Sequence, residues 1–93
     1  MNVVNLKFDK SLVALAGNPY GKSIFVNQVK GKYDLEDGIV ICFPENIEKV
    51  ASSFVQGFFS EWLNSEGLNE IREKVTIHSF SEKLSQSIME NLE

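Results

Sequence analysis

Ser52 and Ser53 stand side by side just ahead of the aromatic-rich run Phe54 to Leu63, where a hydroxyl can do work at the start of a helix. A serine in that place accepts from the backbone amides left free by the first turn, and Gln56, three residues after Ser53, completes the capping-box spacing. Ser52 offers the same oxygen one residue earlier. Gly17-Asn18-Pro19-Tyr20-Gly21-Lys22-Ser23 ends like a phosphate-binding loop. That motif needs a glycine where Ala16 stands, and Pro19 removes a donor amide, so an ordinary turn with a surface lysine fits better than a nucleotide site. His78 is the only histidine, which excludes a paired-histidine metal site, and no nucleophile or acid lies at a spacing that would make it a general base. Cys42 is the only cysteine, so no internal disulfide exists. The glutamates are scattered as on solvated faces, and Asp34, Glu36 and Asp37 read as a soluble connector rather than a cation site. No cofactor and no metal is expected.

The elements that must position these groups centre on residues 38 to 63. Ile39 to Cys42 and Phe43 form an apolar run rich in β-branched residues, opened by Gly38 and closed by Pro44, as expected of a central strand buried on both faces. Phe54, Val55, Phe58, Phe59, Trp62 and Leu63 then recur with helical period and predict a largely buried helix ended by Asn64 to Gly67. The stripe is wide enough that Phe59 or Trp62 is a candidate surface anchor for a partner. Upstream, Val4, Leu6 and Phe8 alternate as in a strand over 3–8, and Leu12 to Leu15 reads as a second strand, the two suited to a hairpin. Residues 23–30 fit a two-turn helix or a strand, with the helix favoured because Gly31 would end it. Downstream, Leu68 to Lys74 suits a further turn of helix and Val75 to His78 a strand. Ser79 to Glu82 has capping-box spacing for a last helix, with Leu84, Ile88 and Leu92 inward.

Ninety-three residues suffice for one small α/β domain that buries about two-thirds of its unfolded surface. With 43% apolar and 24% charged residues the composition is that of a soluble globular domain. No stretch is long and apolar enough to span a membrane, and the N-terminus lacks a signal-peptide pattern, so a cytoplasmic location is expected. A net charge of −4 disfavours nucleic acid as a partner, because phosphate contacts need clustered lysine and arginine.

Asn18-Pro19-Tyr20-Gly21-Lys22 before the central strand and Ser53-Phe54 at the helix start together resemble the STAS-like family of unknown function, related to the STAS domains of anti-sigma-factor antagonists. The likeness runs from about Leu12 to Leu92. It implies a mixed four-stranded sheet with about three helices packed on it, and a non-enzymatic regulatory module of bacteria. In the antagonist branch a serine at the helix start accepts phosphate from a kinase-type anti-sigma factor. Ser53, or Ser52, is accordingly the candidate phosphoacceptor, beside the plainer reading of a cap. The pattern departs from the family's where Ala51 replaces an acidic residue and Cys42 the aspartate at the strand end. The resemblance further implies docking to a GHKL-type ATPase or kinase through the loop Pro44 to Val50 and the helix start. Glu45, Asn46, Glu48, Lys49, Ser53 and Gln56 are then the partner-binding candidates. A reading from another class is a stand-alone inhibitor, of the phage or mobile-element type, that masks the surface of a larger protein machine.

Overall fold

Gly38 has a positive φ of 82°, which frees the chain to enter the strand that follows, β3 (Ile39–Cys42). The computed structural model describes residues 2–92. In it β3 lies between β1 (Asn2–Asn5) and β5 (Val75–His78), and both pairings are parallel. Two shorter strands, β2 (Ala14–Leu15) and β4 (Lys49–Val50), pair in parallel as a separate ribbon. The helices are α1 (Asn18–Gln28), α2 (Ser52–Ser65), α3 (Leu68–Lys74) and α4 (Glu82–Glu90).

One face of the three-stranded sheet carries Val4, Ile39, Ile41, Val75 and Ile77, all buried, and the helices cover it with a wholly apolar core. The expected burial of β3 on both faces is not what the structure shows. Ile39 and Ile41 are inaccessible, but Val40 and Cys42 alternate onto the other face and are only half-buried, beside exposed Val3, Asn5, Thr76 and His78. An unbroken apolar run therefore hid a strand with one wet side.

α1 and α2 run side by side in the same direction. Gly21 lies against the backbone of Phe54 and Phe58, Gly57 against that of Asn18, and Lys30 pairs with Glu61 at 2.9 Å. Between them Phe25 meets Phe58 and Trp62 edge-on, with ring centroids 5.5 and 4.9 Å apart. Phe59 and Trp62 are both buried, so neither serves as the surface anchor anticipated from the width of the stripe. Phe8 closes the end of the cluster, stacked on Phe43 and edge-on to Phe54 and Tyr20.

Further differences from the sequence reading have local causes. The sheet is parallel and divided into three strands and two, not mixed with four, and four helices cover it rather than three. No hairpin forms between β1 and β2: β2 pairs with β4 instead, and side chains take backbone groups in the segment between the two strands. The Gln28 carboxamide binds both the amide and the carbonyl of Lys7 at 2.8 Å, and Asn46 donates to the Leu12 carbonyl. α1 begins five residues before the expected Ser23. Pro19 sits in its first turn, where a missing amide costs nothing, so the apparent breaker is a start signal. Gly21 is inside that helix because a Cβ would not fit against α2. α4 is capped by Ser81, whose hydroxyl accepts from the Leu84 amide at 3.1 Å, rather than by Ser79 two residues earlier.

Candidate functional site

The surface singled out by the sequence begins where Pro44 ends β3. Ile47, fully buried, pins the loop to the core, and its amide bonds the Pro44 carbonyl at 3.0 Å. On the side toward β2, Asn46 Nδ2 donates to the Leu12 carbonyl at 2.7 Å and the Glu48 amide to that of Val13 at 2.7 Å. The Ala51 amide then bonds the Leu15 carbonyl at 2.8 Å and delivers the chain into α2. The loop is thus fixed through its backbone, the buried Ile47 and the Asn46 carboxamide, which leaves the side chains of Glu45, Glu48 and Lys49 exposed.

The start of α2 differs from expectation in chemistry as well as position. Its N-cap is Ala51, extended at φ −72° and ψ 151°, with no side-chain cap. Ser52 and Ser53 are its first two residues, both exposed, so the box of Ser53 and Gln56 does not form. The Ser53 hydroxyl instead accepts from the Gly17 amide at 3.0 Å, a bond that joins the first turn of α2 to the residue before α1. Gly17 can offer that amide because its φ is 101°, a left-handed backbone that glycine tolerates.

The six partner-binding candidates are all exposed but do not share one recess. Glu48 and Lys49 border a cleft shared with Phe80 and the first turns of α4. Gln56 borders another, with Asn18, Ser60 and Leu92, and the two clefts have no lining residue in common. Asn46 is turned back to Leu12.

The other reactive side chains form no site with this surface. Lys22 and Ser23 are helical, and Ser23 Oγ donates to the Tyr20 carbonyl at 2.8 Å, so the segment does not wrap a phosphate as a glycine-rich loop would. Asp34 accepts from the Glu36 amide at 3.1 Å in a local turn. His78 and Cys42 sit side by side in register on the uncovered sheet face. Among the described residues no three of His, Cys, Asp and Glu gather where they could hold a metal ion. Among them too, no helix is long and apolar enough to cross a membrane. The Asp9 carboxylate is held below its usual pKa, first by the hydroxyl of Ser11 and then by that residue's amide. It lies in the turn before β2.

Sequence reasoning passed over Phe80 and Lys83, which share the cleft of Glu48 and Lys49. The signal was there once the cap is placed at Ser81. An aromatic residue just before an N-cap normally folds onto the fourth helical residue, which here is Ser85. Comparison with protein-family models, with curated proteins and with solved structures finds no match for this chain.

Proposed function

We propose that this domain is a non-enzymatic regulatory module of the STAS-like kind, which docks a protein partner through the loop Pro44 to Val50 and the first turn of α2. The observation that carries this reading is the setting of Ser53. It is exposed, it stands in the first turn of a helix of 14 residues, and its hydroxyl is held by the amide of Gly17. Because α1 and α2 are parallel and joined by that bond, the free amides and positive dipole ends of two helices lie near one hydroxyl. A phosphoryl group transferred from ATP to Ser53 Oγ, with ADP as the leaving group and release of the hydroxyl proton, would be met there by those amides and dipole ends. It would also add about 1.5 to 2 negative charges to a surface that already carries Glu45 and Glu48. The partner, on the resemblance of Asn18 to Lys22 and of Ser53-Phe54, is a GHKL-type ATPase or kinase. Phosphate on Ser53 would part the complex by charge and bulk at the contact.

Affinity capture from the native host, with wild-type and Ser53→Asp baits read by mass spectrometry, tests both parts. The expected result is an ATPase recovered by the wild type and lost from Ser53→Asp. Equal recovery by the two baits removes the switch, and recovery of no ATPase by either removes the partner.

A further inference from the structure

The turn from β5 into α4 presents a large aromatic side chain to water on a backbone that is tied down. Phe80 is 49% exposed, and Ser85 stands at the position where an apolar side chain would normally receive it. The turn beneath it is fixed by three hydrogen bonds. Ser79 Oγ donates to the Ser81 carbonyl at 2.8 Å and lies 2.7 Å from Ser85 Oγ, while Ser81 Oγ holds the Leu84 amide at 3.1 Å. Beside the ring is a cleft of about 340 Å³ between β4 and α4, with the nearly buried Val50 and Leu84 at its base and Glu48, Lys49 and Lys83 around it. Among the described residues neither lysine has an ion-pair partner. Two cations and one carboxylate give this recess a formal charge of +1 on a chain whose total is −4.

We infer that this cleft takes an extended acidic segment of a protein partner. One leucine- or phenylalanine-sized side chain enters over Val50 and Leu84 against the ring of Phe80, and flanking aspartates or glutamates face Lys49 and Lys83. The inference rests on the docking reading above, since the loop that it uses supplies Glu48 and Lys49. An aromatic side chain has few rotatable bonds to lose on binding, and an apolar recess rimmed by charge has the anatomy of an interface hot spot. The local positive charge on an otherwise acidic molecule selects for carboxylates and speeds their encounter.

Random peptides displayed on phage and panned on the intact domain test this. The expected enrichment is for sequences with acidic residues on either side of a large apolar one. A fluorescent synthetic copy of the enriched peptide, followed by anisotropy, should lose about tenfold or more in affinity on Phe80→Ala, and likewise on Lys49→Glu/Lys83→Glu. These side chains are exposed, so circular dichroism should show both variants folded, and the charge variant leaves the ring in place if Phe80→Ala does not fold. No enrichment, enrichment of basic sequences, or binding indifferent to both variants overturns the inference. Tighter binding of a single-stranded RNA oligonucleotide with the same dependence on Phe80 also overturns it. Capture of an ATPase that Ser53→Asp abolishes, with no Phe80-dependent peptide, sinks the cleft and leaves the docking loop. Phe80-dependent peptide binding with capture indifferent to Ser53→Asp supports the cleft and sinks the switch alone.

Discussion

Replacing Gly57 by alanine should destabilise the domain, although alanine is the better helix former. A Cβ at Gly57 would overlap the carbonyl oxygen of Asn18 and stand 2.8 Å from its carbonyl carbon, where ordinary contact begins near 3.4 Å. These are backbone atoms, so no side chain can rotate away, and α1 must retreat from α2 by about 1 Å. A gap of that size forfeits a quarter to a half of the attraction between facing atoms. It would open along Phe25, Phe58 and Trp62, whose edge-on ring contacts bridge the two helices. Overpacking of this kind costs up to about 3 kcal/mol. Helix propensity returns about 1 kcal/mol, for a net loss of about 2 kcal/mol. A domain of this length has a total stability of about 5 to 14 kcal/mol, so the loss is substantial. Urea unfolding followed by the fluorescence of the buried Trp62 should show the midpoint lowered by about 1 M, at a slope of about 2 kcal/mol/M. Asn27→Ala, on the exposed side of α1, serves as the control and should leave stability unchanged or slightly raised. Gly21→Ala meets the Phe58 amide nitrogen at 2.7 Å and should behave like Gly57→Ala. The double variant should cost less than the sum, because one separation of the helices relieves both clashes. A Gly57→Ala protein as stable as the wild type would refute the claim that these helices touch backbone to backbone.

Two other outcomes follow from local hydrogen bonds. Ser81→Ala removes the side-chain cap of α4 and should cost about 1 kcal/mol, seen as a fall in melting temperature of about 4 to 8 °C. Ser79→Ala should cost less, and the reverse order would place the cap where the sequence pattern first suggested. The Asp9 carboxylate, bonded by the Ser11 hydroxyl and amide, should titrate below the ordinary aspartate value of about 3.9 in carbon-detected NMR. A carboxylate depressed in the folded state contributes stability that is present above the unfolded pKa and lost as pH falls through the folded one. Asp9→Asn should therefore soften the acid limb of the stability curve, and an Asp9 midpoint at or above the ordinary value would contradict the geometry of this turn.

What could be read from residues alone divides along the reach of the forces involved. α2 was legible because its stripe records a single buried face. α3, β5 and the inward seam of α4 were legible for the same local reason. The pairing of β2 with β4 was not, since two residues on each strand carry no period and their partners lie 35 positions apart. The start of α1 was misjudged because Gly17 to Gly21 has the composition of a turn, while Gly21 answers to a helix far away in sequence. The same holds at the candidate site. The place of Ser53 at a helix start was readable, but its bond to Gly17 spans 36 residues and took the place of the local cap. Phe80 was overlooked because its meaning depends on which of two nearby serines caps α4.

The carboxamide of Gln28 bears on self-association. Asn2 and Leu6 give their amides to the carbonyls of Gly38 and Cys42, so along this border of the sheet Val3, Asn5 and Lys7 turn their backbone groups outward. Gln28 stoppers the last of these by imitating a neighbouring strand. A second chain seeking to add itself there finds only two residues' worth of docking points before it meets a plug. The stretch of this border open to a further parallel strand is thereby shortened, without a proline or an inward charge.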